Sequence, residues 1–278
     1  MRAGTETAQA GIERKRRKSE IENISSVSIL KGLSTTLIGQ SILYYPSLPS
    51  TMDVAKKMAK EGMGEGTVIV AGEQTMGRGR LGRKWLSPPK SSLALSIILR
   101  PTIAQLPQLN MVASLAVVQS IEKIVGLKPT IKWPNDILLE GRKTSGILIE
   151  NIIEGSEVKA AIVGIGINVE LDPSSFSEIS AIATSLSIES GREISRWDTL
   201  CSLLQEFDQI YQELNSGKSI YERWLASVET LGKLVQVRWG DTIEEGYVES
   251  IETDGSLVLK SLDGSLRTIV AGEVTLHK

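Results

Sequence analysis

Short apolar runs that end at glycine or proline constrain the fold of this chain more than any other feature. Two such runs, residues 66–71 and 93–99, have the length of buried strands, and residues 158–169 predict one more strand. Residues 108–125 are apolar on most sides and stop at Gly126, which predicts a largely buried helix. Strands in series with helices between them predict an α+β fold, in which helices back one mixed β-sheet.

Local signals divide this region further. Ser50 followed three residues later by Asp53 is a capping-box pattern, so a helix is predicted to begin there and to stop at Gly62. A second helical pattern covers residues 196–214. Three shorter strands are predicted at residues 129–133, 137–139 and 146–150. A tight turn at residues 140–142 predicts that the last two form a hairpin.

The pattern changes near residue 232. Val235, Val237 and Trp239 alternate with polar residues at period two, which is typical of a half-buried strand. Gly-Asp and Asp-Gly turn signals then recur at short spacing, so about 45 residues predict a small β-barrel that packs on the main domain. We therefore expect a tail at residues 1–32, a catalytic domain at 33–230 and a β domain at 231–278.

The composition excludes several kinds of chemistry. The only cysteine is Cys201 and the only histidine is His277, so a disulfide, a Ser-His-Asp triad and a multi-His zinc site are not expected. No stretch is long and apolar enough to be a membrane span or a signal peptide, which favours a cytoplasmic protein. The net charge is −2, so any nucleic-acid contact must be local. The basic run at residues 14–18 is either a solvated tail or an electrostatic contact with an anionic partner.

The most unusual segment is residues 72–85, which follow a predicted strand. Glycines alternate there with Arg78, Arg80, Arg83 and Lys84, and the segment ends at Trp85. Glycine lets the backbone approach a ligand, and arginine offers a fixed fork of donors to phosphate or carboxylate. The segment is either a solvent-exposed basic loop or, as we favour, a loop that closes over an anionic ligand. It is not a P-loop, because the required Gly-Lys-Ser/Thr ending is absent.

Three other segments carry polar or glycine residues where a strand would ordinarily be apolar. Lys132 lies in an apolar strand just before Trp-Pro-Asn135-Asp136, and it points either to solvent or toward a ligand. Asn135 and Asp136 either cap the turn or orient this lysine. Gly146 is predicted to open a strand, and Gly164 and Gly166 lie inside one, which indicates either a bulge or a ligand on the sheet.

In combination, the Gly-Arg-Gly-Arg-x-Gly-Arg-Lys-Trp segment, Lys-Trp-Pro-Asn-Asp and Gly-Ile-Asn resemble the biotin protein ligase family. The match covers roughly residues 47–186, and the C-terminal β domain also fits. The resemblance implies a class II synthetase-like catalytic domain with a small SH3-like barrel. It also implies ATP-dependent activation of biotin to biotinyl-5′-AMP, with Mg²⁺, and transfer to a lysine of a carboxylase carrier domain.

The motifs and the resemblance together give these candidate site residues. The catalytic candidates are Lys132 and Arg80. The biotin-binding candidates are Ser50, Thr51, Met52, Gln74, Gly77, Arg78, Gly79, Arg80, Lys132, Gly146, Gly164 and Gly166. The ATP-binding candidates are Arg78, Arg80, Trp85, Lys132, Asn135, Lys143 and Asn168. No metal-binding motif is present, and Asp136 is a candidate general base for the transfer step.

This sequence departs from the family at two places. The family usually has Asn where this chain has Met52, so the polar contact of that Asn to biotin is an open question here. Only about 32 residues precede the ligase region, so the DNA-binding domain of bifunctional members, and repression by it, are not expected. A homodimer is possible through an exposed sheet edge.

Three alternatives differ in chemistry. A lipoate or octanoate transferase shares the fold but is expected to lack the arginine-rich loop. A thioester-forming transferase would need Cys201, which lies in a helical pattern typical of a small core residue. A nucleic-acid module would use the arginine-rich loop and the basic tail, and its binding would depend steeply on salt.

Overall fold

The computed structural model describes residues 33–276. The basic run at residues 14–18 and His277 therefore lie outside the described residues. The main sheet is built from β1 (Ile42–Tyr45), β2 (Val68–Ala71), β3 (Ser92–Leu99), β4 (Thr130–Lys132), β5 (Asp136–Leu139), β6 (Arg142–Glu154) and β7 (Glu157–Asn168). The strand order is β1-β2-β3-β7-β6-β5-β4, with β1 parallel to β2 and the other pairs antiparallel. This confirms the predicted mixed sheet.

Helices cover both faces of this sheet. They are α1 (Thr51–Lys60), α2 (Leu109–Val125), α3 (Leu186–Ser190), α4 (Arg196–Asn215) and α5 (Tyr221–Leu225), with 3-10 turns at Arg80–Gly82, Ile103–Gln108 and Pro173–Ser175. Because side chains alternate along a strand, β2 sends Val68 and Val70 into the core beneath α2 and α4, and Ile69 and Ala71 into a smaller cluster beneath α1.

The helix and hairpin predictions are confirmed, with one correction. The α2 helix ends at Gly126, whose φ of 73° suits a left-handed C-cap. Glu140 and Gly141 both have positive φ in the turn that joins β5 to β6. Gly146 was expected to open a strand, but it lies inside β6, which begins at Arg142. The tight turn starts the strand earlier than the apolar pattern indicates.

The C-terminal segment forms a separate antiparallel sheet. Its strands are β8 (Leu234–Trp239), β9 (Thr242–Ile251), β10 (Leu257–Ser261), β11 (Leu266–Ile269) and β12 (Glu273–Leu276), in the order β11-β10-β9-β8-β12. The Trp133 indole N–H donates to the carbonyl of Gly255 at 2.8 Å, and the Tyr221 hydroxyl donates to the carbonyl of Ile251. The expected packing on the main domain is therefore confirmed. Within residues 33–276, no helix is both long and apolar enough to cross a bilayer.

Candidate active site

One cavity of about 290 Å³ gathers almost all the candidate residues. It lies on the sheet face that carries α1, just beyond the helix's N-terminus. The candidates along its wall are Ser50, Thr51, Met52, Gln74, Arg78, Gly79, Arg80, Trp85, Lys132, Asn135, Lys143, Gly146, Gly164, Gly166 and Asn168. Gly77 does not line it. Segments far apart in the sequence therefore meet at one place.

The floor of the cavity is made of glycines. Gly164 and Gly166 continue the face of β7 on which Ala160 and Ile162 pack under α1. Gly146 pairs with Gly166 in an uninterrupted part of the β6–β7 register, so these positions form no bulge. A Cβ on Gly166 would lie 2.4 Å from Cε2 of Trp85. The glycines are needed because another group lies directly on the strands.

Two side chains occupy that space. The Trp85 ring lies over Gly166 and Gly146, and its buried indole N–H has no hydrogen-bond partner in the described part of the chain. The Met52 thioether lies over Gly164, where an added Cβ would be 2.5 Å from its sulfur. Met52 therefore supplies an apolar contact at the position where the family usually has Asn.

Hydroxyl and amide groups surround the start of α1. Ser50 is the N-cap residue, but its side chain forms no capping hydrogen bond, so the capping-box part of the prediction is wrong. Its Oγ is buried and has no hydrogen-bond partner among residues 33–276. Thr51 instead donates from its backbone N–H and its hydroxyl to Oε1 of Gln74, at 2.8 and 3.1 Å. A buried hydroxyl without a partner costs free energy, so this end is built to receive a polar ligand.

The arginine-rich loop of residues 77–85 folds back on itself. The Trp85 N–H donates to the Gly77 carbonyl at 2.9 Å, and the Gly79 N–H donates to the Arg83 carbonyl at 2.7 Å. A Cβ on Gly77 would lie 2.3 Å from the Trp85 carbonyl oxygen. Gly77 is thus placed where it closes the loop, outside the cavity wall.

Arg80 joins the two parts of the molecule at the cavity. Its guanidinium donates to Oδ1 of Asn135 at 2.7 Å and to the Gly272 carbonyl at 3.2 Å. Burial lowers the pKa of Arg80, while the charges of Asp136 and Glu273 oppose that shift. Arginine remains protonated under such conditions, so a fixed, partly desolvated cation faces the cavity.

Two lysines enter the cavity in different environments. Lys132 Nζ has no hydrogen-bond or ion-pair partner within residues 33–276. Lys143 Nζ lies 2.6 Å from Oδ1 of Asp136 and 5.7 Å from the Trp85 ring centroid. Asn135 contacts Arg80 and the Ile147 carbonyl. The alternative in which Asn135 or Asp136 orients Lys132 is therefore wrong, because these side chains hold Arg80 and Lys143.

The remaining wall was not predicted from the sequence. Glu273, Val274 and Thr275 of β12 line the cavity, and Glu273 forms an ion pair with Arg83 at 2.7 Å. Ile179, Ile182 and Ala183 line the far end, where the buried Asn168 amide donates to the Thr184 carbonyl. These segments carry no motif. The Gly272-Glu273 pair, at which β12 begins, is the one local signal there.

Charge and position decide what the cavity can bind. Six basic side chains line it, against the carboxylates of Asp136 and Glu273. Such an excess of cations favours an anionic ligand, and the arginines suit phosphate oxygens. No group of three His, Cys, Asp or Glu side chains in the described part of the chain could hold a metal ion. Cys201 does not line the cavity, so the thioester alternative has no support here.

Two family models match the chain. The model described as the biotin/lipoate A/B protein ligase family matches residues 44–168, and the biotin protein ligase C terminal domain matches residues 230–276. The first match contains every candidate site residue, and the second begins close to the start of the small sheet.

Named relatives extend the similarity over most of the chain. The bifunctional ligase/repressor BirA of Bacillus subtilis is 37% identical over 258 residues, which cover 91% of this chain and 79% of the relative. The biotin--[acetyl-CoA-carboxylase] ligase of Paracoccus denitrificans is 34% identical, over 81% of this chain and 96% of the relative.

Solved structures agree with these similarities. The biotin protein ligase of Aquifex aeolicus in complex with biotin and ATP has a TM-score of 0.72 and 28% identity, covering 86% of this chain and 99% of that one. The biotin protein ligase of Leishmania major in complex with biotinyl-5-AMP has a TM-score of 0.57 and 25% identity, covering 84% and 99%.

Proposed function

The chain belongs to the biotin protein ligase family, and from that premise we propose how its cavity performs the family's reaction. It is an ATP-dependent ligase that activates biotin as biotinyl-5′-AMP and transfers the biotinyl group to a lysine of an acceptor protein. One observation carries the assignment of the site. A single cavity has an unpaired buried hydroxyl at one end, a glycine floor in the middle and a cluster of cations at the other end.

Biotin has a polar ring system and a carboxylate joined by an apolar chain, and the cavity offers matching groups in the same order. The ureido ring is assigned to Ser50, Thr51 and Gln74, because the Ser50 hydroxyl lacks a partner. The apolar chain is assigned to the part of the cavity wall formed by Met52 and Trp85, the two side chains that lie on Gly164 and Gly166. The carboxylate would then reach Arg80 and the two lysines.

Adenylation requires charge stabilisation more than a base. A carboxylate is already ionised at neutral pH, so its oxygen attacks the α-phosphorus of ATP, a new P–O bond forms, and pyrophosphate leaves with its electron pair. Arg80, Lys132 and Lys143 would neutralise the crowded oxygens of that transition state. We assign Arg80 and Lys132 as catalytic residues and Asn135 as the group that aims Arg80, since it accepts the guanidinium at 2.7 Å.

The transfer step needs an uncharged amine. The acceptor lysine attacks the acyl carbon of biotinyl-AMP, a C–N bond forms, and the C–O bond to AMP breaks. The proton lost by the amine must be accepted nearby, and Asp136 is the candidate base. Its ion pair with Lys143 at 2.6 Å also fixes that lysine beside Trp85, so Asp136 has a positioning role as well.

Mg²⁺ enters this proposal together with ATP. The cavity has two carboxylates, Asp136 and Glu273, and each is paired with a cationic side chain. Mg²⁺ in ATP-dependent enzymes is commonly held by phosphates and water with one or two carboxylates. The residues present would fit an ion carried by the triphosphate, with Asp136 and Glu273 as the candidate protein ligands.

The acceptor is assigned as the biotin carboxyl carrier domain of a carboxylase, as the Paracoccus relative's name indicates for that protein. An ATP substrate and a single cysteine favour a cytoplasmic location. We place the boundary between the catalytic domain and the β domain at residues 230–231. A homodimer would use the β1 edge, because residues 227–229 bond to Ile131 and cover β4.

The test is biotin-dependent pyrophosphate release from ATP, followed by mass analysis of an added carrier domain. We expect stoichiometric pyrophosphate without acceptor, and a gain of one biotinyl group when the carrier domain is added. The same assay with lipoate in place of biotin distinguishes a biotin ligase from a lipoate ligase, the two activities that the matching family model covers. Equal activity with lipoate, or no pyrophosphate with biotin, would contradict the assignment.

A further inference from the structure

Arg78 belongs to the arginine-rich loop, and its guanidinium pairs with two carboxylates. Its Nη2 lies 2.6 Å from Oδ1 of Asp53 on α1, and its Nη1 lies 3.3 Å from Oε1 of Glu150 on β6. The second oxygen of Glu150 lies 3.1 Å from Nζ of Lys56. We propose that Asp53 and Glu150 are positioning residues that hold the arginine-rich loop closed over the cavity through Arg78.

The geometry favours this role over phosphate binding. A guanidinium that faces two carboxylates already has its charge balanced, and Asp53, Arg78, Glu150 and Lys56 sum to zero formal charge. The same cluster joins three elements that form the biotin end of the site: α1, β6 and the loop. Arg78 thus differs from Arg80, which has only neutral hydrogen-bond acceptors, the Asn135 amide oxygen and the Gly272 carbonyl.

The solvent exposure of these side chains determines how strongly their ion pairs hold the loop closed. The side chains of Arg78 and Asp53 are 42% and 58% exposed, whereas that of Glu150 is 23% exposed. Partly exposed pairs are individually weak, so each contributes a factor of about three to the closed state. Because one guanidinium serves both carboxylates, removing both charges should open the loop about ten-fold more often. Exposed pairs are screened by salt, so closure should weaken as ionic strength rises.

The first test uses the ligand-free protein, so it does not depend on the proposed function. Hydrogen exchange of the Thr75 and Met76 amides at the base of the loop reports its opening, since they donate to the carbonyls of Leu48 and Pro49 ahead of α1, at 3.0 and 2.9 Å. We expect exchange to be about three-fold faster in Asp53→Asn or Glu150→Gln, and about ten-fold faster in the double variant. Raising NaCl from about 0.05 M to about 0.5 M should accelerate the wild type and leave the double variant unchanged.

Lys56→Gln is the matched control. It removes the α1–β6 ion pair but leaves Glu150 free for Arg78, so loop exchange should stay the same or slow down. Loop exchange as slow in the double variant as in the wild type would overturn the proposal. The proposal would also be overturned if loop exchange were accelerated equally in Lys56→Gln and in Glu150→Gln. The acceleration would then come from weaker packing between α1 and β6.

The second test rests on the proposed function and separates positioning from phosphate binding by the sign of the effect. If Arg78 positions the loop, the Asp53→Asn/Glu150→Gln variant should release biotinyl-AMP about ten-fold faster, with little change in KM for ATP. If Arg78 binds phosphate, the loss of two competing carboxylates should lower KM for ATP. A lower KM for ATP with unchanged adenylate release would refute the positioning role.

Discussion

Gly166→Ala is the substitution that tests the floor of the site most directly. Gly166 lies in β7, between β3 and β6, and its backbone has no positive φ, so alanine fits the main chain. The added Cβ would lie 2.4 to 2.6 Å from three atoms of the Trp85 indole. Normal contact between carbon atoms is about 3.5 to 4.0 Å, so one group must move by roughly 1 Å or more.

The structure decides which group moves. The β7 strand is hydrogen-bonded on both sides, whereas Trp85 belongs to a loop on the surface of the cavity. Forcing a methyl group into a tightly packed position costs about 1–3 kcal/mol when nothing can relax. Because Trp85 can swing outward, we expect unfolding free energy to fall by no more than about 1 kcal/mol. In the proposed assignment Trp85 contacts the apolar chain of biotin, so displacing this ring should raise KM for biotin about ten-fold.

The assay is a double-mutant cycle. Urea unfolding and biotin-dependent pyrophosphate release are measured for Gly166→Ala, Trp85→Ala and the double variant. Alanine at 166 should cost nothing further once Trp85 is absent. Gly64→Ala is the control, because an added Cβ there has no atom within 4 Å. Additive effects of the two substitutions on KM for biotin would refute the contact between this ring and the strand.

Three other variants test the remaining chemistry. Arg80→Ala should slow single-turnover adenylation more than 100-fold, since a donor to a developing anion is worth about 3 kcal/mol. The variant should also release biotinyl-AMP faster. Near-normal adenylation would remove Arg80 from the mechanism. Lys132→Ala should abolish ligation. Its urea unfolding should stay normal, because the Lys132 ammonium has no hydrogen-bond or ion-pair partner within residues 33–276. Retained ligation would show that Lys132 is only a surface residue. Burial and the charge of Asp198 raise the pKa of the Cys201 thiol, so this thiol is mostly protonated at neutral pH. Cys201→Ser should therefore keep full pyrophosphate release. Loss of activity in this variant would support the thioester alternative.

Local chemistry explains how much of this molecule could be predicted. Glycine caps, apolar runs and the turn before Arg142 are short-range signals, and they placed the elements of the sheet to within a few residues. The glycines at 164 and 166 also indicated that something lies on the sheet. The sequence pattern could not identify the group that lies there, because a β-bulge and a close contact both place glycines inside a strand. Only the regular register and the position of Trp85 distinguish the two.

Side-chain partners were harder to predict, because pairing depends on small differences in direction between neighbouring groups. Lys132 and Asp136 face each other across the β4–β5 register, yet Asp136 pairs with Lys143 of β6. Ser50 stands at the N-cap, yet its hydroxyl forms no cap. In both cases a local bond that the sequence pattern allowed is not formed, and the position lines the cavity. Such exceptions are therefore informative, since a polar group left free in a buried place is available to a ligand.

The contact of Arg80 with Gly272 explains why a small β domain belongs to this enzyme. Residues separated by 192 positions meet at one guanidinium, which is held from the main sheet by Asn135 and from β12 by a carbonyl. Arg83 and Glu273 repeat the same bridge at the loop's other side. Hydrogen bonds to both terminal nitrogens of the planar guanidinium fix the orientation of this long, partly buried side chain. The second sheet therefore supplies the far half of the support for the Arg80 guanidinium, which the loop's own glycines could not provide.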